Sequence, residues 1–305
     1  MTGAFKSFSI KGSVAISIAA IMWGLDGVVL TPRLYNLDVV YVVFMLHLIP
    51  FVMMNLFLFR EYRHLKTFTR SDLIIFLLIS LSGGAIGTLA IVKALFLLNF
   101  NHLSIVVLLQ KLQPIFAILL ATTWLGERLG KSFVGYAILA ISGGYFLTFG
   151  FALPDLETGE NTVYASLLAL LAALSFGSST VLSKKILGSY NFVTSTFYRY
   201  GFTSAIMFFF MLFFGDFGQL QATSTSNWIF IAIICLTTGS GAIFLYYYGL
   251  RKVQAIMATV SELLFPISAI FFDYLINGSV FSAVQWISAA VMVFAIIRIN
   301  AGTKK

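Results

Sequence analysis

Long apolar segments separated by short polar ones make up most of the sequence. A window of about 19 residues identifies ten segments near the ~20 residues that a helix needs to cross a bilayer. The predicted spans are residues 12–31, 39–59, 72–98, 102–124, 131–150, 162–187, 192–214, 226–250, 255–276 and 281–300. Segment 205–214 is continuously apolar and lacks the alternation of a β-barrel strand. The pattern predicts an all-α integral membrane protein with ten transmembrane helices.

The composition excludes an ordinary soluble protein. Hydrophobic residues make up 60% of the 305 residues and charged residues 10%, whereas soluble domains carry roughly 25% charged residues. The first span is too long for a signal-peptide core and has no small-residue cleavage site, so we expect it to remain. Cys235 is the only cysteine, and His47, His64 and His102 lie far apart. The sequence therefore predicts no disulfide, no metal site and no cofactor.

The net charge of +8 reflects membrane topology. Basic residues lie in short loops and form no stripe, so we expect no nucleic-acid partner. With the N-terminus placed in the cytoplasm, the loops on that side hold Lys6, Lys11, Arg60, Arg63, Lys66, Arg70, Arg128, Lys131, Lys184, Lys185, Arg251, Lys252, Arg298, Lys304 and Lys305. The opposite loops hold only Arg33. This bias predicts that both termini are cytoplasmic, in the inner (plasma) membrane of a bacterium.

The chain contains an internal repeat. A shift of 152 or 153 residues aligns 19–24 with 172–177, Gln113-Pro114-Ile115 with Phe265-Pro266-Ile267, and His47 with Arg199. The two repeats are predicted as residues 12–150 and 162–300, within one transmembrane domain. Because each has five spans, an odd number, the second repeat is inverted in the membrane. Inverted repeats are typical of secondary transporters, in which two halves expose a central site alternately to each side.

A short motif points to a family. Pro114 is followed by Trp124-Leu125-Gly126-Glu127-Arg128-Leu129, and the first span ends in Trp-Gly. Together with the five-plus-five layout, these features resemble the drug/metabolite transporter superfamily, in its EamA-type branch. The family's Arg near the start of the second helix of each half matches Arg199, whereas the first half has His47. Ser279 stands where Glu127 stands in the first copy. The resemblance implies a carrier of a small metabolite, and members carry amino acids, nucleotide sugars, choline, sugar phosphates and drugs.

Charged residues inside the spans are the candidate site, because a charge in a bilayer is costly. Asp26 and Lys93 have similar predicted depths, as do Arg199 and Glu262, so two ion pairs are possible. Lys111, near the middle of the fourth span, has no obvious partner. We weigh two hypotheses for Lys111: binding of a substrate carboxylate or phosphate, and a structural pair with Asp26 that leaves Lys93 to reach the outer interface.

Several neighbours complete the candidate site. Pro114 and Pro266 lack the N–H that would bond the carbonyls of Gln110 and Glu262, so broken turns are predicted where helices face protein or a wet cavity. The predicted substrate-binding residues are Lys111, Trp23, Asp26, Gln110, Gln113, Lys93 and Glu262, with Pro114, Pro266 and Arg199 as structural or gating residues. Plain helix packing is the alternative for Trp23, the glutamines and the prolines. Tyr246, Tyr247 and Tyr248 are interpreted as interfacial residues, and Glu127 with Arg128 as a loop ion pair.

Three buried groups, His47, Asp26 and Glu262, are candidates for proton coupling, since a histidine side chain ordinarily titrates near neutral pH; an ordinary polar contact is the alternative for His47. The predicted function is secondary transport of a small organic metabolite by alternating access. An amino acid or other small carboxylate is the first substrate hypothesis, with export as the direction. Sugar-phosphate, nucleotide-type and choline-type carriers are alternatives, and a lipid scramblase or a membrane enzyme lies outside the class. The sequence shows no convergent nucleophile and base for an enzyme. A monomer and a homodimer are both compatible with the pattern.

Overall fold

Apolar helices account for most of the structure. The computed structural model describes residues 10–98, 106, 109–153, 160–278 and 280–301. These ranges contain nine helices long and apolar enough to cross a membrane, a shorter apolar helix at Gln113–Trp124, and no strand. The predicted all-α membrane fold is confirmed. Lys6, His102, Ser279, Lys304, Lys305 and most of the first part of span 102–124 lie outside the described residues.

The ten membrane helices follow one another along the chain. They are α1 (Ile10–Leu34), α2 (Val39–Lys66), α3 (Arg70–Leu97), α4 (Gln113–Trp124), α5 (Lys131–Phe149), α6 (Asn161–Ile186), α7 (Phe192–Phe214), α8 (Thr225–Leu250), α9 (Ala255–Asn277) and α10 (Ala283–Ala301). Each matches a predicted span within a few residues, apart from α2, which continues beyond its predicted end as a 3₁₀ helix, Phe59–Lys66, and α4, whose predicted span begins among residues that the structure leaves undescribed.

Polar side chains fix the starts of several helices. Asp38 accepts a hydrogen bond from the Tyr41 N–H at the start of α2, and Asn191 accepts one from the Thr194 N–H at the start of α7. The two caps are 153 positions apart, which is the offset of the repeat. Capping boxes begin both α3, at Thr69, and α8. A side-chain cap satisfies one of the free N–H groups of a first turn and typically contributes ~1 kcal/mol.

The packing of the helices repeats in the two halves. Helix α1 packs against α8 and α9, and its counterpart α6 packs against α3 and α4. Helices α2 and α7 pack against each other, as do α5 and α10. Every one of these contacts is reproduced when each helix is replaced by its counterpart five places away. The packing therefore follows the predicted inverted repeat.

Two glycines at equivalent positions of the repeats allow close approaches between these helices. A Cβ at Gly24 of α1 would lie 2.8 Å from the Ala269 nitrogen and 2.9 Å from the Phe265 carbonyl oxygen of α9. A Cβ at Gly177 of α6 would lie 3.1 Å from the Ala117 nitrogen and 3.0 Å from the Gln113 carbonyl oxygen of α4. The contacted atoms are equivalent in the two repeats. Close backbone contact at small residues is a main source of helix association in lipid.

Helices α4 and α9 are interrupted at equivalent positions. Residues 111–112 form a turn before α4, and α9 consists of Ala255–Ser261 and Leu264–Phe272 with a turn between them. Each interruption lies just before a proline, Pro114 or Pro266, as predicted. At the second break the Phe265 N–H donates to the Glu262 carbonyl at 2.9 Å. That carbonyl, expected to be free, therefore has a partner in a tighter turn.

Candidate functional site

A cavity of about 880 Å³ lies between the two repeats. At one end of the bundle it reaches exposed residues, Arg33 and Asn277; we call this the Arg33 end. The opposite end contains Glu127 and the loop between α8 and α9, and none of these residues lines the cavity; we call it the Glu127 end. The cavity is therefore open towards the Arg33 end and closed towards the Glu127 end.

Most of the predicted site residues line this cavity. Those that do are Trp23, Asp26, His47, Gln110, Lys111, Gln113, Arg199, Glu262 and Pro266. Lys93 does not line it and is exposed, and Pro114 is buried in helix packing. Lining residues that the sequence analysis did not identify include Thr88, Thr148, Phe176, Thr180, Tyr200, Thr238, Tyr246 and Asp273. Phe176 is the one that a sequence signal could have found, because the repeat aligns it with Trp23.

Lys111 occupies the break before α4. Its ammonium donates to the Gly144 carbonyl of α5 at 2.8 Å and to the Thr148 hydroxyl. An ammonium has three N–H groups, and the described contacts use two of them. No ion pair joins Lys111 to Asp26 within the described residues, so the structural alternative for Lys111 is wrong. Lys111 is a buried amine at the cavity wall, and its described partners are neutral oxygens.

The expected pair of Asp26 with Lys93 is also wrong. Lys93 is exposed on α3 and forms no described ion pair with Asp26. Asp26 instead lies beside the hydroxyls of Thr31 and Thr238. Its Oδ1 is buried and forms no hydrogen bond within the described chain. The two residues have similar predicted depths along their helices. Their side chains differ in direction, because Asp26 lines the cavity and Lys93 is exposed.

The expected pair of Arg199 with Glu262 is wrong as well. Arg199 donates to the Tyr247 hydroxyl at 3.0 Å, and its guanidinium lies 5.6 Å from the centre of that ring. The hydroxyl of Tyr247 also bonds Ser183 of α6 at 2.6 Å. A tyrosine of α8 therefore takes the place of the expected carboxylate. His47, the counterpart of Arg199, bonds the Val43 carbonyl through Nδ1 at 2.8 Å.

Glu262 links four helices at the break in α9. It accepts hydrogen bonds from Gln113 of α4 at 2.5 Å and from the Tyr246 hydroxyl of α8 at 2.6 Å. The same hydroxyl is 2.9 Å from Thr180 of α6. The interpretation of Tyr246 and Tyr247 as interfacial residues is wrong, because both are buried and bonded to the charged groups of the site. Tyr248, by contrast, is partly exposed and contacts Lys252.

Aromatic rings form another part of the wall. Trp23 of α1 packs against Tyr246 with ring centres 5.3 Å apart, and Phe176 of α6 lines the cavity at the equivalent position of the other repeat. Tyr200 adds a ring next to His47, with centres 5.5 Å apart. The cavity thus combines flat apolar surfaces with a few polar groups, as small-molecule sites commonly do.

The Glu127 end is closed by charged groups bound to helix termini. The Glu127 carboxylate, which follows α4, accepts from the backbone N–H groups of Ala255 at 2.8 Å and Ile256 at 3.0 Å. It therefore caps the N-terminus of α9, and the predicted loop ion pair with Arg128 is wrong. Burial raises the pKa of the Glu127 carboxyl, and the two N–H groups and the charge of Lys184 offset part of the rise.

Lys184 of α6 binds the C-terminus of α8, the helix that precedes α9 in the chain. Its ammonium donates to the Leu250 carbonyl at 2.9 Å and to the Arg251 carbonyl at 3.3 Å, both at the C-terminus of α8. A cation at the C-terminus of a helix and an anion at an N-terminus both complement the helix dipole. Glu127 from the first repeat and Lys184 from the second thus hold the two ends of the α8–α9 loop.

Further contacts surround this closure. The Tyr190 hydroxyl, between α6 and α7, donates to Asp72 of α3 at 2.9 Å. Burial and the neighbouring Asp72 carboxylate raise the pKa of Tyr190 to about 12. Thr194 of α7 donates to the Glu61 carboxylate at 2.6 Å, and Tyr198 donates to the Glu61 carbonyl at 2.8 Å. The contacts connect the two repeats near one end of the bundle.

Two inverted five-helix repeats around a cavity that has a few polar groups and opens at one end define an integral membrane transporter. The chain belongs to the EamA-like transporter family, whose model matches residues 10–149 and again 163–301. The two matches correspond to the two halves of the structure. The family resemblance inferred from the sequence is confirmed.

Known proteins support the same class. The riboflavin transporter ImpX of Fusobacterium nucleatum subsp. nucleatum is 52% identical over 292 residues, which cover 95% of this chain and 98% of that protein. A solved structure described only as the crystal structure of a protein matches with a TM-score of 0.70 and 16% identity, over 96% of this chain and 97% of the other. At that identity the second match shows the fold alone.

Proposed function

We propose that this protein is a riboflavin transporter that works by alternating access. The observation that carries the proposal is the 52% identity to a riboflavin transporter along 95% of the chain. This substrate replaces the amino acid expected from the sequence, for which the comparisons give no support. Export, the direction expected from the sequence, stays a prediction.

The charge of the cavity supports a neutral substrate. Within the described residues it is lined by three cations, Arg33, Lys111 and Arg199, and by three carboxylates, Asp26, Glu262 and Asp273. The cations and the carboxylates are equal in number, so the wall has no large excess of charge of either sign, also when one carboxyl is neutral. Riboflavin is uncharged near neutral pH, whereas its phosphorylated form carries negative charge. The cavity volume of about 880 Å³ also lies towards the upper end of the roughly 300–1,000 Å³ range of small-molecule sites.

The lining groups suit the two parts of riboflavin. The isoalloxazine is a flat aromatic ring system that stacks on side chains such as Trp23 and Phe176. Its pyrimidine edge has carbonyl oxygens and an N–H, which match the remaining N–H of Lys111 and the amide of Gln110. The hydroxyls of the ribityl chain are suited to the polar groups near Thr88 and Thr238. We assign Lys111, Trp23, Phe176 and Gln110 to riboflavin binding.

We assign the Arg33 end to the outer side of the membrane, on the loop charges of the sequence, which gives an outward-open conformation. Alternating access then requires the Glu127 end to open while the Arg33 end closes. The broken helices α4 and α9 are the natural moving parts, because their interruptions flank the cavity in both repeats.

The test is counterflow in proteoliposomes of purified protein. Vesicles loaded with unlabelled riboflavin are expected to take up external labelled riboflavin transiently and saturably, with competition by riboflavin stronger than by its phosphate. Absence of counterflow, or equal competition by unrelated metabolites, would contradict the proposed substrate. A lipid scramblase would instead move labelled phospholipid without saturation by flavins.

A matched pair of lysine variants tests the assigned contacts. Lys111→Met is expected to raise the half-saturating riboflavin concentration about tenfold, because a hydrogen bond from a charged donor contributes ~1.5–3 kcal/mol. Lys93→Met serves as the control, since Lys93 is exposed and lies away from the cavity, and it should leave the value unchanged. Equal effects of the two substitutions would contradict the assignment of Lys111 to binding.

A further inference from the structure

The three carboxylates of the cavity differ in their partners. Glu262 accepts hydrogen bonds from Gln113 and Tyr246, and Asp273 accepts one from Asn277 at 2.7 Å. Asp26 differs because its Oδ1 is buried and without a partner in the described chain. The hydroxyl of Thr238, which lies beside it, also lacks a partner there. Oδ1 of Asp26 and the hydroxyl of Thr238 are therefore neighbours at the cavity wall, and neither forms a hydrogen bond of normal geometry within the described chain.

No described cation neutralises Asp26. The ammonium of Lys111 is bound to α5, the guanidinium of Arg199 to Tyr247, and Arg33 lies over the Phe230 ring at 5.7 Å. A contact between a basic and an acidic side chain within the described residues joins His64 Nε2 and Glu61 at 3.5 Å, near the other end. An ionised carboxylate that is buried without a cation or a full set of donors is strongly disfavoured. The neutral carboxyl is therefore the form that this environment stabilises.

The titratable groups around Asp26 do not change this conclusion. Tyr200 of α7 and Cys235 of α8 lie near the carboxyl, and both are neutral in their ordinary form. His47 of α2 packs on Tyr200 and is held at the Val43 carbonyl. On α9, Glu262 and Asp273 line the same cavity and carry charge of the same sign as ionised Asp26. None of these supplies a positive charge to the carboxylate.

The local backbone is irregular on both sides of this contact. Asp26 begins a π-helical segment, Asp26–Leu30, within α1, and Thr238 lies in another, Cys235–Gly239, within α8. Each π-helical turn inserts an extra residue into the helix and is frequent at functional sites. The carboxyl and its neighbouring hydroxyl are thus both presented by locally rearranged turns that line the cavity.

We propose that Asp26 is the proton-binding site that couples substrate movement to a proton gradient. The proposal rests on the proposed carrier function. A hydronium ion in the open cavity gives a proton to Oδ1 and becomes water, and the new O–H bond donates to the Thr238 hydroxyl. When the cavity opens to the other side, that O–H bond breaks and the proton returns to water there. Of the three candidates in the sequence, His47 and Glu262 are already held by hydrogen bonds.

The transport test compares two Asp→Asn variants in proteoliposomes. With one proton per riboflavin, a gradient of about one pH unit is expected to drive about tenfold accumulation in the unmodified protein, since one unit corresponds to a factor of ten in proton activity. For each variant, riboflavin accumulation under the pH gradient is divided by counterflow of the same variant. In Asp26→Asn this ratio should fall to the value measured without a pH gradient. Asp273→Asn, a substitution of the same kind in the same cavity, should keep the ratio of the unmodified protein. A Na⁺ gradient that drives accumulation at equal pH, or an unchanged ratio in Asp26→Asn, would overturn the proposal.

A second measurement needs no substrate and separates the two proposals. Infrared difference spectra of the purified protein between acid and alkaline pH should show the carbonyl band of a protonated carboxyl. Asp26→Asn should lose one component of that band and Asp273→Asn should keep it, while the other carboxyl groups of the chain contribute a common background to all the spectra. If counterflow of riboflavin fails but the band behaves as expected, the substrate is wrong and the proton site stands. If the band persists unchanged in Asp26→Asn, the proton site is wrong whatever the substrate.

Discussion

The two ends of the helix bundle are held by different kinds of contact. At the Arg33 end, neutral amides connect the loop after α1 to the start of α8, where Asn227 bonds Asn36 at 3.0 Å and the Arg33 carbonyl at 3.1 Å. At the Glu127 end, a carboxylate and an ammonium are bound to the termini of two helices. The cavity is closed where the charged groups are buried and open where the neutral amides lie.

This difference indicates how the closed end can open. Buried charged groups form strong hydrogen bonds to the backbone, yet the same groups are well solvated by water once released. The hydrogen bonds of Glu127 and Lys184 can therefore be replaced by hydrogen bonds to water at a moderate cost in free energy. The helix termini that they release belong to α8 and α9, and α9 is one of the interrupted helices at the cavity.

Removal of the Glu127 carboxylate should have the largest effect on the closed end. In a Cys235→Ser background, a cysteine introduced at buried Ser261 of α9 reports access from that end. Glu127→Ala leaves two backbone N–H groups without their acceptor, at a cost of ~1–3 kcal/mol. The alkylation rate of the cysteine should rise about tenfold to hundredfold.

The neighbouring Arg128 provides the control for this prediction. Arg128 is exposed and follows directly in the chain, so Arg128→Ala should leave the alkylation rate unchanged. An equal increase in both variants would show that loop charge, rather than the cap on α9, keeps this end closed.

Removal of the Lys184 ammonium should have a smaller effect. Lys184→Met loses two hydrogen bonds to carbonyls that water can reach more easily, so ~1 kcal/mol and an increase of about fivefold in the same rate are expected. Lys185→Met, at an exposed site next to it, is the control. Because Glu127 and Lys184 hold one loop, their double variant should fall short of the sum of the single effects. Fully additive effects of the two substitutions would contradict the inference that Glu127 and Lys184 hold the same loop.

Loss of the Tyr190 hydroxyl should have a slight effect. Tyr190→Phe removes one hydrogen bond to Asp72 near the surface, which corresponds to ~0.5 kcal/mol and about a twofold change in rate. Since the pKa of Tyr190 is raised to about 12, the phenol remains a donor and this contact should persist across the neutral pH range. A rate that changes between pH 6 and pH 8 in the unmodified protein but not in Tyr190→Phe would contradict this.

A substitution at the open end should leave the closed end unaffected. Asn227→Ala removes the amide bonds at the Arg33 end and part of the capping box of α8, so the melting temperature should fall, by the equivalent of ~1 kcal/mol. The alkylation rate at position 261 should not change. An increase in that rate would indicate that the two ends are not separate.

The number of helices, the repeat and the depth of the site could be predicted from the sequence. Each of these depends on positions along the chain: apolar length, the shift that aligns Trp23 with Phe176, and the distance of Lys111 from the ends of its span. Within the residues that it describes, the structure agrees with the first two, whereas the depth of Lys111 in the membrane stays a prediction. Gly24 and Gly177 show the repeat most directly, since they contact equivalent atoms of α9 and α4.

The partners of the buried charges could not be predicted. Pairing Asp26 with Lys93, or Arg199 with Glu262, used depth alone, whereas a contact also depends on the rotation of each helix about its axis. In soluble proteins the polar face of a helix indicates that rotation, but a helix that is apolar all round gives no such signal. For the same reason Tyr246 and Tyr247 were placed at the interface although they bind Glu262 and Arg199. The role of Glu127 was missed because its partners are backbone N–H groups, which every sequence has.

The interrupted turns of α4 and α9 bear on how the chain enters the bilayer during synthesis. Helix α4 is interrupted just before Pro114, and the two α-helical pieces of α9 are 7 and 9 residues long, each shorter than the ~20 residues that partition stably on their own. We expect these two helices to insert last, against neighbours already in place. Substitutions that make them more hydrophobic and continuous should improve the yield of membrane-inserted protein while reducing its activity.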